Sequence, residues 1–297
     1  MKNPYFGRLL TAMVTPFDAT GVNVEAVKKL VEFWLAHGSD GLVVTGSTGE
    51  AATMTTEEKK LLWTTVVQQV NGRVPVVAGT GSNNTANSIE MTKLAESCGV
   101  DGVLIVGPYY NKPTQEGYYR HFKAIADSTS CKVILYNVPG RTAANIAPAT
   151  VARVAKDCPN VVAIKEAAGN VAQVAELYRI LPADFTIYSG DDGLILPFMS
   201  VGATGLISVL SNIDGDILQQ LMQAYEDGKV KEAADLNKKM VPLANAMFLE
   251  TNPIPVKAAV SLVTGIDCGE PRLPLTPMSE GALEKMKGIL KEYGLIH

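Results

Sequence analysis

The sequence predicts an α/β protein, a (β/α)8 TIM barrel with a C-terminal helical extension. Eight short runs of apolar and β-branched residues alternate with helical patterns, and eight parallel strands are the number that closes such a barrel. Beyond Ser211 the strand signal disappears and only helical patterns follow. We therefore assign residues 1–210 to the barrel and residues 211–297 to the extension.

The alternation of strands and helices can be followed along the whole chain. The predicted strands cover residues 9–14, 41–45, 74–78, 102–106, 132–136, 161–165, 185–188 and 205–209. Helices are predicted at residues 24–37, 85–97, 115–127, 149–156, 171–180 and 193–201, and another begins at Thr55, which has capping-box spacing to Glu58. Gly38, Gly99 and Gly202 each follow a helix and act as helix stops. In the extension, helices are predicted near residues 216–227, 230–248, 255–263 and 279–292.

Composition excludes several classes of function. The 297 residues are 47% hydrophobic, the net charge is −4, and Lys and Arg form no dense cluster. We therefore expect neither nucleic acid nor an anionic membrane surface as a partner. The four cysteines show no C-x-x-C spacing, which favours free buried thiols in a reducing compartment. The amino terminus has no signal-peptide pattern and no run reaches membrane-spanning length, so we expect a cytoplasmic protein.

The candidate nucleophile is Lys165, which ends the unbroken apolar run Val161-Val162-Ala163-Ile164. A lysine at the carboxyl end of a buried strand is partly withdrawn from water, so its pKa should fall. A pKa near 8 would leave about one amine in ten free at neutral pH, and a free amine forms a Schiff base with a carbonyl. The alternative is that Lys165 extends into solvent or pairs with Glu166.

Polar side chains follow other strands, where the active site of a barrel is built. Ser47 and Thr48 lie in a glycine-bounded turn whose hydroxyls and amides suit a carboxylate, or which caps its own backbone. Arg141 suits a second carboxylate, or a surface ion pair. Tyr109, Tyr110 and Tyr136 offer phenols for proton transfer or for packing. Asp191 or Asp192 is predicted to be a helix N-cap. An amine, hydroxyls, phenols and a guanidinium together predict covalent carbonyl chemistry on a carboxylate-bearing substrate, of which pyruvate is the simplest.

Six motifs in order along the chain resemble those of the dihydrodipicolinate synthases, a family of pyruvate-dependent class I aldolases and lyases. They are Gly-Ser-Thr-Gly-Glu at 46–50, Tyr-Tyr-Asn-Lys-Pro at 109–113, Tyr-Asn-Val-Pro-Gly-Arg-Thr at 136–142, Ile-Lys-Glu-Ala at 164–167, Ser-Gly-Asp-Asp at 189–192 and Asn-Pro-Ile-Pro-Val-Lys at 252–257. The resemblance implies condensation of pyruvate with L-aspartate 4-semialdehyde to 4-hydroxy-tetrahydrodipicolinate, in the lysine (diaminopimelate) pathway. It implies no metal and no cofactor beyond the imine on Lys165.

The resemblance also assigns roles to residues. Catalytic roles fall to Lys165, Tyr136, Ser47 and Tyr110, and substrate contacts fall to Thr48, Arg141, Gly190 and the Ile207 carbonyl. Tyr110 would arrive from a neighbouring subunit, which implies a tight homodimer and a tetramer built from two dimers. An allosteric pocket would include Ala51, Thr56, Lys59, Asn83, Asn87 and Tyr109. Lysine-sensitive members usually carry glutamate at position 87, so we predict weak or no inhibition by lysine.

One departure from the family pattern keeps a second activity open. Serine at position 47, where most synthases carry threonine, is typical of the related N-acetylneuraminate lyases, whereas Arg141 favours the synthase. A metal-dependent aldolase is disfavoured because the three histidines, at 37, 121 and 297, form no ligand cluster. A nicotinamide oxidoreductase is disfavoured because the glycines at 79 and 81 lack the third glycine of the fingerprint. A non-catalytic small-molecule sensor on the same barrel is the remaining alternative.

Overall fold

The computed structural model describes residues 4–297 as a closed parallel barrel followed by helices, which confirms the predicted fold class. The strands are β1 Leu9–Ala12, β2 Phe17–Asp18, β3 Gly21–Val22, β4 Gly41–Val44, β5 Val76–Gly79, β6 Gly102–Val106, β7 Lys132–Asn137, β8 Val161–Glu166, β9 Thr186–Ser189 and β10 Gly205–Ser208. The barrel closes because β1 pairs in parallel with both β4 and β10. The hairpin of β2 and β3 lies outside the barrel and was not predicted.

Helices fill the connections between barrel strands. They are α1 Val24–Ala36, α2 Thr56–Val70, α3 Thr85–Ser97, α4 Gln115–Ala126, α5 Pro139–Thr142, α6 Pro148–Asp157, α7 Val171–Ile180, α8 Ile195–Ser200, α9 Gly215–Glu226, α10 Val230–Ala246, α11 Ile254–Thr264 and α12 Glu280–Glu292. The short α5 was not predicted, and the helix expected at residues 193–201 is divided into a 3-10 turn, Asp192–Leu194, and α8.

Local signals in the sequence explain where several of these elements begin and end. The predicted capping box is present: the Thr55 hydroxyl accepts from the Glu58 amide, and the Glu58 carboxylate accepts from the Thr55 amide. The three predicted helix stops, Gly38, Gly99 and Gly202, all have positive φ angles, of 85°, 84° and 107°. Glycine adopts that left-handed backbone without a Cβ clash, so each chain reversal into the next strand is unstrained.

Apolar side chains form two layers of core. An inner cluster fills the barrel with residues that include Phe6, Leu10 and Tyr188, and a larger outer cluster packs the helices against the strands. Trp34 and Trp63 are fully buried in the outer layer. Burying one large apolar side chain contributes roughly 1.5–3 kcal/mol, so these layers fix the strand ends on which a site can be built. All four cysteines are free, and Cys98 differs from the other three in being only partly buried.

The extension packs back onto the barrel. Gln219 of α9 donates to the Asp40 carboxylate and to the Gly38 carbonyl, so α9 lies beside the first two barrel strands as the barrel's eighth helix. The boundary predicted at residue 210 therefore falls between the last strand and the helix that pairs with it. Helices α10, α11 and α12 follow. Across residues 4–297, no helix is both long and apolar enough to cross a membrane.

Candidate active site

Lys165 lies inside the mouth of the barrel. In register it faces Tyr136 of β7 and Tyr188 of β9, and its Nζ lies 4.7 Å from the centroid of the Tyr136 ring. Only 5% of the residue is exposed. Burial lowers the pKa of the Lys165 ammonium to about 8, and the Arg141 charge adds to the fall while the Asp192 carboxylate opposes it. The predicted fall in this pKa is confirmed, and a usable fraction of the amine is free at neutral pH.

Glu166 is not the partner of Lys165. Successive side chains of a strand point to opposite faces, and the Glu166 carboxylate accepts hydrogen bonds from the side chains of Asn137 and Gln173 and from the Ala168 amide. Burial raises the pKa of the Glu166 carboxyl, and these donors oppose that rise. Among residues 4–297, no carboxylate forms an ion pair with Lys165. The lysine is thus a buried cation without a direct counter-ion.

Gly190 makes room for the lysine. A Cβ at this position would lie 2.9 Å from Cε of Lys165 and 2.6 Å from Cβ of Ala167, closer than carbon atoms pack. Any other residue would therefore displace the amine. Ile207, by contrast, is buried in the inner core and does not line the cavity above Lys165, whereas Val209 does.

The predicted proton-transfer groups divide into two sets. Tyr136 ends the inward face of β7, and burial raises the pKa of its phenol while Arg141 and the Ser47 hydroxyl act in the opposite direction. Ser47 and Tyr136 both line the cavity that contains Lys165. Tyr110 does not: it is 91% exposed and has a left-handed φ of 69°. A single chain therefore brings three of the four predicted catalytic residues together.

Thr48 and Arg141 are connected through Asn252, the first residue of the motif at 252–257, for which the sequence analysis predicts no role of its own. Asn252 donates from Nδ2 to the Thr48 hydroxyl over 3.1 Å, and its carbonyl accepts from the Arg141 guanidinium over 3.1 Å. Thr48 and Asn252 are buried, and Arg141 is exposed on the short helix α5. The three polar side chains line one cavity beside Lys165, so two carboxylates can be held near the amine.

The cavity above Lys165 has a volume of about 300 Å³. That is the size of a small-molecule site. Four residues of its wall come from the extension, a contribution that the sequence did not reveal. These are Ala244, Asn245, Phe248 and Asn252. The site is therefore built by the barrel and the extension together.

The helix N-cap predicted at Asp191 or Asp192 is confirmed, and it is the first of the two aspartates. Asp191 is the N-cap, accepting from the Gly193 amide over 2.9 Å. Asp192 is buried and accepts from the Ser208 hydroxyl and from the amides of Val209 and Leu210. Burial raises the pKa of its carboxyl, although these donors oppose the rise. No local pattern separates the two aspartates, because only the fold shows which one turns inward.

A second cavity of about 410 Å³ shares Ser47, Tyr136, Val138 and Arg141 with the first. Four of the predicted allosteric residues line it, namely Ala51, Lys59, Asn87 and Tyr109. Thr56 and Asn83 do not line it. Thr56 is exposed at the start of α2, and the Asn83 carbonyl accepts from the Asn111 side chain. Burial lowers the pKa of the Lys59 ammonium in this cavity.

Comparison with known sequences gives full-length matches. The model of the Dihydrodipicolinate synthetase family matches residues 5–293. The chain is 51% identical over 297 residues to the 4-hydroxy-tetrahydrodipicolinate synthase of Desulforamulus reducens, with 100% of both chains covered. It is 50% identical over 288 residues to the protein of the same name from Bacillus subtilis, which covers 97% of this chain and 99% of that one.

Solved structures match over the same length. A dihydrodipicolinate synthase from Bacillus anthracis is similar with a TM-score of 0.94 and 46% identity, over 97% of this chain and 98% of that one. A dihydrodipicolinate synthase from Cyanidioschyzon merolae, solved with lysine bound, is similar with a TM-score of 0.97 and 41% identity, over 99% of this chain and 100% of that one. The likeness thus includes the extension as well as the barrel.

Proposed function

Because this chain belongs to the dihydrodipicolinate synthetase family, we propose that it condenses pyruvate with L-aspartate 4-semialdehyde to give 4-hydroxy-tetrahydrodipicolinate. The chain is an enzyme of the lyase class and belongs to lysine biosynthesis. The observation that carries the proposal is the buried Lys165 amine, which has a pKa of about 8 and lies in a cavity with hydroxyl, phenol and guanidinium groups. The proposed site of action is the cytoplasm.

The lysine supplies the covalent step. The free amine attacks the ketone carbon of pyruvate, and loss of water gives an imine that withdraws electrons from the methyl group. A proton leaves the methyl carbon, and the resulting enamine carbon attacks the aldehyde carbon of the semialdehyde. The amine of that second substrate then attacks the imine carbon, closes the ring and releases Lys165. This sequence needs no metal and no further cofactor, since the imine itself is the electron sink.

Tyr136 is the proposed acid and base for these proton transfers. Its buried phenol lies against the amine, and Ser47 lies on the same cavity wall. A phenol whose pKa is raised stays protonated at neutral pH and can donate to the leaving water. Tyr110 would complete the relay from a second copy of the chain. Its exposure of 91% and its left-handed backbone support a role that contact with another chain completes.

Thr48 and Arg141 are the proposed contacts for the two substrate carboxylates. The Thr48 hydroxyl and the turn amides around it suit the pyruvate carboxylate, and the guanidinium suits the carboxylate of the semialdehyde. Gly190 would line the same pocket, where it leaves room for Lys165. For Ile207, the role of its carbonyl stays a prediction from the resemblance alone.

We also propose that the protein forms a tight dimer and that two such dimers form a tetramer.

We further propose that lysine inhibits the protein weakly or not at all. The second cavity presents the cationic side chain of Lys59 and the neutral amide of Asn87. Neither offers a carboxylate for the ammonium groups of free lysine, and Lys59 repels them. Half-inhibition at submillimolar L-lysine would contradict this part of the proposal.

Ser47 favours one alternative, cleavage of N-acetylneuraminate through the same lysine. The deciding experiment compares initial rates for the condensation and for N-acetylneuraminate cleavage with one preparation of the protein. Condensation faster by several orders of magnitude is the expected result, because Arg141 is available for the semialdehyde carboxylate. Faster cleavage would replace the proposed substrate while keeping the imine chemistry.

A further inference from the structure

The turn that carries Ser47 and Thr48 is bounded by two residues in an unusual backbone conformation. Thr45 and Glu50 have φ angles of 56° and 55°, in the left-handed region that non-glycine residues rarely adopt. Such residues persist only where the surroundings hold them in place. The Thr45 hydroxyl accepts from the Trp63 indole over 2.8 Å and lies within hydrogen-bond distance of the Val44 and Gly79 carbonyls, so one end of the turn is fixed inside the barrel.

The other end of the turn is fixed by the extension. Oε1 of Glu50 accepts from Nζ of Lys257 over 2.8 Å, and Oε2 accepts from the Arg272 amide over 2.9 Å. Both oxygens of this carboxylate are therefore held by residues that follow the barrel. The Glu50 amide in turn donates to the Ser47 carbonyl over 3.2 Å. A shift of Glu50 would thus be transmitted directly to the residue beside Thr48.

The ion pair is deeply buried. Side-chain exposure is 1% for both Glu50 and Lys257, and Nζ of Lys257 also donates to the Glu270 carbonyl and lies 4.3 Å from the centroid of the Phe17 ring. A buried pair does little for stability compared with apolar residues of similar size, so its presence here calls for another role. Neither residue lines the cavity that contains Lys165.

We propose that Glu50 and Lys257 are positioning residues, which hold the Ser47–Thr48 turn in the geometry that binds the carboxylate of the 2-oxo acid substrate. The C-terminal extension then acts on the reaction through this pair, in addition to the residues that it places on the cavity wall. The inference rests on the proposed imine chemistry of Lys165. It predicts that breaking the pair weakens substrate binding while the amine remains reactive.

The test is borohydride trapping of the pyruvate imine, in which hydride reduces the C=N bond to a stable amine on the protein. The amount of adduct is measured by mass spectrometry as pyruvate is varied, in wild type and in Glu50→Gln. We expect the pyruvate concentration for half-maximal trapping to rise by at least about tenfold in the variant, with the same maximal adduct. An unchanged half-saturating concentration would overturn the proposal.

Two further variants separate positioning from folding. Glu50→Gln with Lys257→Met removes both charges of the buried pair, so it should fold even if the single variant does not. We expect its half-saturating concentration to remain raised, and a value equal to that of wild type would overturn the proposal. Glu226→Gln is the control, because it breaks a 2.6 Å ion pair with Arg8 that also connects the extension to the barrel. Its half-saturation should match wild type; an equal rise would attribute the effect to general destabilisation.

The same experiment tells the two proposals apart. Absence of any adduct in wild type would overturn the proposed function, since Lys165 would then form no imine. A wild-type adduct together with an unaltered Glu50→Gln variant would overturn only the role of the ion pair.

Discussion

Lys165 at the barrel mouth and Lys257 in the extension are both almost fully buried, with 5% and 1% of their surface exposed. Burial lowers the pKa of both ammonium groups. The difference lies in the partner. Glu50 bonds to Lys257 and opposes the fall in its pKa, whereas no carboxylate pairs with Lys165 among residues 4–297. A buried amine without a counter-ion is reactive because its pKa is low, whereas a buried amine that is bonded to a carboxylate connects two parts of the chain.

Removal of the amine at the barrel mouth should have the largest effect on activity. Lys165→Met should lower the condensation rate by at least about 10³-fold, because the covalent step no longer exists. Steady-state kinetics with both substrates provides the measurement. The matched control is Lys132→Met at the start of β7, at the other end of the barrel, which should keep its activity. Substantial turnover by Lys165→Met would reject the nucleophile.

Replacement of Lys257, by contrast, should lower the free energy of unfolding. Lys257→Met leaves the Glu50 carboxylate buried without its cation, and breaking a buried pair from one side costs about 3–5 kcal/mol. Urea unfolding at fixed protein concentration should show the corresponding fall in the midpoint. A variant as stable as wild type would mean that Lys257 is not a structural partner of Glu50.

Replacement of Lys165 should instead raise the free energy of unfolding at neutral pH. A pKa lowered from 10.5 to about 8 corresponds to on the order of 3 kcal/mol of destabilisation by the buried amine at pH 7. Between pH 8 and 10.5 the unfolded chain binds a proton that the folded chain does not, so this penalty shrinks as the pH rises. Lys165→Met should therefore be more stable than wild type at pH 7, and the gain should disappear above pH 10.5. A loss of stability at pH 7 would show that the amine is paired.

Tyr136 lies beside Lys165, whereas Lys257 lies over the ring of Phe17. Tyr136→Phe removes the proposed proton donor and should lower kcat by about 10²-fold, equivalent to about 2.7 kcal/mol of transition-state stabilisation. Tyr118→Phe is the matched control: Tyr118 is also buried, and its hydroxyl has no hydrogen-bond partner in the part of the chain that the structure describes. Equal rates for the two variants would place Tyr136 among the packing residues.

The sequence predicts the barrel well because its signals are local. Apolar runs, the Thr55 capping box and the glycine stops specify where elements begin and end, and residues 85–97, 102–106 and 171–180 are predicted with the bounds that the structure has. Strand order then follows from the closure of parallel strands. The position of Lys165 near the end of β8 could be predicted for the same reason.

The parts that could not be predicted depend on contacts between distant residues. Glu50 and Lys257 are 207 positions apart, and nothing near either one indicates a buried pair. Asn252 bonds to Thr48 across 204 positions. Asp191 and Asp192 are adjacent in the sequence, and only the fold shows that Asp192 is the buried one. Such contacts are set by how the extension packs on the barrel, and no periodic pattern records that packing.

The most direct test of the contrast between the two lysines is to map the borohydride adduct formed with pyruvate. Wild-type protein is trapped between pH 6 and 9, digested, and the modified peptide is identified by mass spectrometry. The adduct should lie on Lys165. Its rate of formation should rise with pH and reach half of its maximal value near pH 8, because the amine loses its proton there. An adduct on Lys257, or none at any pH, would contradict the assignment of the unpaired lysine as the nucleophile.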